Sequence, residues 1–352
     1  MSALRHNLGV VRQHAKQSRV LAVIKANAYG HGVMRVARGL ADAGVDGFAL
    51  LELDAAIALR EAGFQQRLVL LEGIFDAREL AELVKHRIDT VVHCAEQVAM
   101  LRQVTPGAPL NVLLKLNTGM NRLGVTASAF ADALAALRAN AAVGEITLMT
   151  HFANSDDARG VAWQMVAFEN MTQDPMWSRL PRTLANSAAI VRYPQTHADW
   201  VRPGIMLYGA TPFADVSAAQ LGLKPVMTLT SQLIAVQHLK AGDTVGYGGA
   251  FTAARNTRIG VVACGYADGY PRHAPSGTPV RVGDAMTTTV GRVSMDMLCV
   301  DITALPSAQV GTQVTLWGDG NPVDDVATAA GTVGYELLCA LAARVPVVVL
   351  HG

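Results

Sequence analysis

The chain lacks the features that would commit it to nucleic acid, a membrane or an oxidising compartment. Charged residues make up only 16% of it and cancel to a net charge of +1, with no Lys/Arg run or basic stripe. Neither nucleic acid nor an anionic membrane is therefore an expected partner. No apolar stretch reaches the roughly 18 residues that a membrane helix needs. The opening Met1-Ser2-Ala3-Leu4-Arg5-His6 does not read as a signal peptide. The four cysteines (Cys94, Cys264, Cys299, Cys339) are far apart, form no CxxC pair and lie in or beside apolar sequence. Buried free thiols in a reducing cytoplasm are the favoured reading. No spacing of ligand-type residues calls for a metal.

What is present is a globular composition, 51% hydrophobic over 352 residues, enough for a large core and most naturally two domains. Up to about residue 215, short apolar runs alternate with helical patterns. Strands are expected at Leu21–Lys25, Gly47–Leu51, Leu68–Leu71, Thr90–His93, Asn111–Leu116, Ile146–His151, Thr183–Ala185 and Trp200–Leu207. Amphipathic segments such as Asp54–Ala62, Ala77–Lys85, Ala95–Gln103 and Ser128–Ala139 separate several of them. Eight strands with intervening helices indicate an α/β fold, a (β/α)8 TIM barrel, with a doubly wound open sheet as the alternative. After residue 220, Val-, Thr- and Gly-rich runs punctuated by turns indicate a mainly-β C-terminal domain, closed by one helix over Thr332–Leu341. The boundary falls near Phe213–Gly222, giving domains 1-218 and 219-352.

In a barrel of this kind the working residues emerge at the C-terminal ends of the strands. Lys25 ends the first, Lys115 to Arg122 follow the fifth, His151 ends the sixth, Asn186-Ser187 follow the seventh, and Arg202 to Gly209 belong to the eighth. Lys25 sits in Val23-Ile24-Lys25-Ala26-Asn27-Ala28-Tyr29-Gly30-His31-Gly32. An amine desolvated on one side is easier to deprotonate and suits a Schiff base. Each residue alone has an ordinary explanation: a snorkelling lysine, a helix cap for Ser187, a turn for Gly204, a salt bridge for Arg202.

The motifs taken together resemble the alanine racemase family. They are the Lys25 segment, Lys115-Leu116-Asn117-Thr118-Gly119-Met120-Asn121-Arg122, Thr150-His151-Phe152-Ala153-Asn154, Ala185-Asn186-Ser187 and Val201-Arg202-Pro203-Gly204-Ile205. In the second domain follow Gly265-Tyr266-Ala267-Asp268-Gly269, Gly291-Arg292-Val293-Ser294-Met295-Asp296 and Gly334-Tyr335-Glu336. The likeness spans some 310 residues. It departs at Asn117, where the family pattern has aspartate, at Ser294, where relatives often have cysteine, and in the absence of an extra strand before the first helix.

The resemblance implies interconversion of L- and D-alanine with pyridoxal 5′-phosphate (PLP) as cofactor, in the cytoplasm, for peptidoglycan synthesis or D-alanine breakdown. It assigns Lys25 as cofactor lysine, and Tyr29, Ser187, Gly204, Ile205 and Tyr335 as phosphate ligands. A phosphate wants such hydroxyls and backbone N–H groups. Arg202 would face the pyridine nitrogen, where a guanidinium, which only donates, leaves the ring a weaker electron sink. Arg122 would orient the cofactor's phenolic oxygen and, with Met295 and Asp296, the substrate; Lys115 matches a lysine that many members carry as a carbamate. Lys25 and Tyr266 would be two bases on opposite faces. A cation about 5 Å away at an effective dielectric of ~20 supplies roughly 3 kcal/mol toward ionising a phenol, a part that a His151–Arg202 relay would play. A homodimer in which each β domain completes the other chain's site is implied. Three alternatives remain: a broad-specificity racemase, a barrel-type PLP decarboxylase, which Arg202 opposes, and a non-catalytic PLP carrier, which would lack the second domain.

Overall fold

A computed structural model describes residues 1–103 and 109–350. Eight parallel strands, β1 (Arg19–Val23), β2 (Gly47–Leu50), β3 (Arg67–Leu70), β4 (Asp89–Val92), β5 (Leu110–Lys115), β6 (Val143–Met149), β7 (Arg182–Asn186) and β8 (Trp200–Arg202), follow one another around a closed barrel. Closure comes from β1 pairing with β8, Arg19 opposite Trp200 and Val20 opposite Val201, which excludes the open-sheet alternative. Residues facing both ways along these strands are buried, Leu21, Ala22, Phe48 and Leu113 all at 1% exposure or less. Helices cover the outer face and side chains fill the inner one, hence the continuous Val/Leu/Ala runs rather than an apolar/polar alternation.

Three of these strands differ from expectation by two residues or more. The sixth runs Val143–Met149 rather than Ile146–His151, so His151 follows it instead of ending it. The eighth strand stops at Arg202, and Ile205–Tyr208 is a 3₁₀ turn. Pro203 cannot donate to the ladder, and the apolar run continues only because this turn is itself buried. The first strand ends at Val23, which leaves Lys25 at the head of a separate turn rather than inside the strand.

The second unit is antiparallel. Strands β9 (Leu229–Leu239), β12 (Thr257–Val262), β13 (Pro279–Val282), β14 (Ala285–Val290), β15 (Leu298–Asp301) and β16 (Gln313–Trp317) close a small barrel in the order β12-β15-β14-β13-β16-β9. The hairpin β10 (Thr244–Val245) and β11 (Phe251–Thr252) stands beside it. One closing helix was expected near the end; two are present, Val323–Ala329 and Gly334–Cys339. The first is opened by Pro322, carries Asp324 and Asp325 in its first turn and buries Val323, Val326 and Ala327, signals spread too thinly over seven residues to mark a helix by periodicity.

These two helices sit over the mouth of the large barrel. Asp324 Oδ2 accepts the Thr211 N–H at 3.0 Å, and the Tyr335 ring lies 6.1 Å from that of Tyr29. Gly30 marks a close approach of the last helix to the barrel. Its φ is +76°, and a Cβ there would lie 2.0 Å from the Leu338 carbonyl oxygen.

Candidate active site

The strand ends enclose a cavity of about 950 Å3 at the C-terminal mouth of the large barrel. Ten residues singled out from sequence line it: Lys25, Tyr29, Lys115, Arg122, His151, Ser187, Arg202, Gly204, Ile205 and Tyr335. Three do not. Tyr266, Met295 and Asp296 lie on the second unit outside the cavity, Tyr266 38% and Met295 53% exposed.

Lys25 and Tyr29 are set by an unusual turn. Ala26, Asn27, Ala28 and Tyr29 all have φ between 51° and 55°, a left-handed helical turn built without glycine. The left-handed hand costs roughly 1–2 kcal/mol per non-glycine residue, so the surroundings must impose it. They do so with hydrogen bonds. Gly30 N–H donates to the Ala26 carbonyl at 3.0 Å and Val33 N–H to Asn27 Oδ1 at 2.9 Å. Buried His31 points its Nδ1 at the carbonyls of Tyr29 (2.8 Å) and Ala28 (3.1 Å), so Nδ1 carries the proton. Burial holds the imidazole at a pKa of about 4, hence neutral. Tyr29 is buried, its ring stacked 4.7 Å from that of Tyr208, and burial raises its phenol above the ordinary range. His31 was part of the motif, but its bracing role was not legible.

Arg202 is buried at 3% exposure with no carboxylate bonded to it among the described residues. Nη1 donates to Thr183 Oγ1 at 2.7 Å, and Nη2 to the carbonyls of Thr150 (2.7 Å) and Leu184 (3.2 Å). Burial lowers it to about 10, so the cation persists at neutral pH. His151 Nδ1 lies 3.5 Å from Arg202 Nη2, a long contact. Burial first, then the cations Arg202, Lys115, Arg122 and Lys25, holds His151 well below its ordinary value, so it is neutral. Lys115, 7% exposed, is lowered to about 8 by burial and by Arg202 and Arg122. Four cationic side chains thus converge on one cavity.

Asn117 keeps its turn despite the departure from aspartate. Its Oδ1 accepts from Gly119 N–H (3.0 Å) and Asn121 N–H (3.1 Å), as a carboxylate oxygen would, while Nδ2 donates to Asn121 Oδ1 at 3.0 Å. Ser187 is not the helix cap; Asn186 is, its Oδ1 accepting from Ala189 N–H. Ser187 Oγ instead accepts the Gly204 N–H at 2.8 Å, which joins the seventh and eighth strand ends. Asp324 and Cys339 also line the cavity and were missed; burial raises Asp324 to about 6. Among the described residues no His/Cys/Asp/Glu cluster could hold a metal, and no helix is long and apolar enough to cross a membrane.

A family model for the alanine racemase N-terminal domain matches residues 1–212, and one for the C-terminal domain matches residues 226–349. Among curated relatives, an alanine racemase of Nitrosospira multiformis is 58% identical over 97% of this chain and 96% of its own. One of Nitrosomonas europaea is 56% identical over 99% and 96%. The solved structure of the biosynthetic alanine racemase from Pseudomonas aeruginosa superposes with a TM-score of 0.94 at 48% identity, covering 98% of this chain and 96% of that one.

Proposed function

Since this chain belongs to the alanine racemase family and is an isomerase acting on amino acids, we propose that it interconverts L- and D-alanine with PLP, using Lys25 and, from a partner subunit, Tyr266. Residues 1-218 form the cofactor barrel and 219-352 the domain that completes the partner's site. The cavity fits the cofactor on three counts. Lys25, Lys115, Arg122 and Arg202 make it cationic, as a phosphate dianion requires. Arg202 is a buried donor with no acid, suited to a neutral ring nitrogen. Tyr29, Ser187 and Tyr335 supply hydroxyls at one side.

Bound PLP supplies a carbonyl that captures amines and a conjugated ring that accepts negative charge from the substrate's Cα. The residues do the rest. Lys25 Nζ holds or releases a proton on one face of Cα, and the Tyr266 hydroxyl does so on the other. Arg202 stays protonated and limits how far the ring withdraws electrons. Neutral His151 beside it cannot add a second full charge, so the cation acting on the base from that side is Arg202 itself. Arg122, exposed at the rim, binds the substrate carboxylate, and Met295 and Asp296 close the site from the other chain. Lys115, lowered to about 8, keeps enough free amine to add carbon dioxide with loss of a proton; the anionic carbamate would pair with Arg122, and the unmodified side chain counts among the cations above.

The exposure of Tyr266 on a different unit from the Lys25 cavity is the observation that supports two chains per site. In a mixture of Lys25→Ala and Tyr266→Phe dimers, half the reassorted dimers are mixed and half of their sites keep both bases. About a quarter of wild-type activity should return. Subunit exchange without recovered activity would refute the shared site. Racemisation of an amino-acid panel by the PLP-loaded protein separates strict alanine specificity from broad tolerance. Dependence of growth on added D-alanine after gene loss separates supply for the cell wall, in the cytoplasm, from breakdown.

A further inference from the structure

The loop that carries Tyr266 is held to the loop that carries Met295 and Asp296 by more than their adjacency. Tyr266 N–H donates to the Ser294 carbonyl (3.1 Å) and Ala267 N–H to that of Met295 (2.9 Å). A Cβ on Gly265 would sit 2.3 Å from the Met295 oxygen, so the two backbones touch. These bonds fix the loops' main chains but leave the far side of the Tyr266 turn open.

That side is closed by Arg344, from the segment after the last helix. Its Nε donates to Asp268 Oδ1 at 2.8 Å, and its Nη2 to Asp296 Oδ1 at 2.6 Å. Asp268 in turn accepts the Gly265 N–H through Oδ2 at 2.9 Å, so one carboxylate spans the turn at whose start Tyr266 stands. The Asp268 carbonyl accepts the Ala342 N–H at 3.1 Å, which ties the same turn to the chain just before Arg344. A single guanidinium therefore bridges the turn of the proposed second base and the aspartate of the substrate-facing loop. The fork of donors does what a point charge cannot, because two carboxylates lie in different directions from it.

We propose that Arg344 is a positioning residue for racemisation, fixing Tyr266 and Asp296 relative to one another; this rests on the reading of Tyr266 as the second base. The side chain is 49% exposed and Asp296 55%, so the pair of bridges contributes little to global stability. Geometry is where it acts. Misplacement of a reacting group by about 1 Å can cost on the order of 100-fold in rate.

The test uses the PLP-loaded dimer with Arg344→Gln and Arg344→Lys. The enantiomers of alanine have equal free energy, so kcat/KM must fall equally in both directions, by roughly 10- to 100-fold. The discriminating readout is the isotope effect with α-deuterated substrates. It should rise for the enantiomer whose proton Tyr266 removes and not for the other. Amide exchange, a readout independent of activity, should quicken in residues 265–270, 294–297 and 342–345 and nowhere else, at unchanged Tm. Arg344→Lys should behave like Arg344→Gln. Full activity in the lysine variant would overturn the proposal, as would a symmetric isotope effect, a uniform rise in exchange with a fallen Tm, or rates within twofold of wild type. Tyr266→Phe is run beside them. If that variant stays active, the second-base reading itself fails; if it is dead while Arg344→Gln is normal, only the clamp fails.

Discussion

Replacing Gly204 by alanine would test the hydroxyl of Tyr29 without touching it. A Cβ on Gly204 would lie 2.6 Å from Tyr29 Oη, 3.3 Å from its Cζ and 3.8 Å from Val23 Cβ. Ordinary contact begins near 3.4 Å, so the phenol oxygen must withdraw by most of an ångström and carries its rigid ring with it. The Gly204 N–H to Ser187 Oγ bond is unaffected, since an alanine keeps its N–H. If Tyr29 Oη donates to the cofactor phosphate, that shift breaks a hydrogen bond to a charged group, worth about 1.5–3 kcal/mol. PLP should then bind roughly 10- to 150-fold more weakly to the cofactor-free variant, measured by absorbance titration or equilibrium dialysis. The control is a double-mutant cycle with Tyr29→Phe, in which there is no oxygen to displace. In the Tyr29→Phe background, Gly204→Ala should cost little more, and any effect of the methyl unrelated to the hydroxyl cancels. Equal losses in both backgrounds would refute the reasoning, because the methyl would then act by some route other than the phenol oxygen.

Other outcomes follow from the same geometry. Borohydride reduction of the PLP-loaded protein, followed by peptide mapping, should leave the pyridoxyl group on Lys25; recovery on Lys115 would overturn the assignment. Lys115 is lowered to about 8 from the 10.5 of an unfolded lysine, so between those values the unfolded chain binds the extra proton. Stability of the cofactor-free protein in CO2-free buffer should therefore rise with pH through that window, by about 3 kcal/mol. Below pH 8 the cost of the buried ammonium is fully present, and Lys115→Met should flatten the rise in chemical denaturation. Gly30→Ala should destabilise by about 2–5 kcal/mol, since it combines a positive φ with a collision against the Leu338 carbonyl. A Tm within a degree of wild type would contradict it.

The barrel was legible because each strand is buried on both faces and so reads as an unbroken apolar run flanked by amphipathic helices. Arg67–Leu70, Asp89–Val92 and Leu110–Lys115 fall within a residue of their expected places. The eighth strand was overextended because Ile205–Tyr208 is as apolar as a strand yet turns, and hydrophobicity carries no information about hand or pitch. The hand of the Ala26–Tyr29 turn was invisible for a related reason: alanine prefers right-handed helix, and the opposite hand is held by hydrogen bonds such as those from Gly30, Val33 and His31. Nine of the ten cavity residues lie on or just after barrel strand ends, which the topology sends to one mouth; Tyr335, on the last helix, could be named only from the resemblance. Arg344 could not, since its partners lie 76 and 48 positions away and no periodicity relates them.

The Ala26–Tyr29 turn also bears on how the cofactor would be lost. Four residues held against their preferred hand represent roughly 4–8 kcal/mol of backbone energy, comparable to the net stability of a whole domain. A segment loaded in that way does not fray one side chain at a time. Once its braces release, the chain gains by reversing hand as a unit, and Lys25 and Tyr29 swing out of register together. On the proposed reading, with Lys25 as covalent anchor and Tyr29 as phosphate grip, the two are ends of one latch, and cofactor escape would be a single cooperative event rather than the sum of two independent ones.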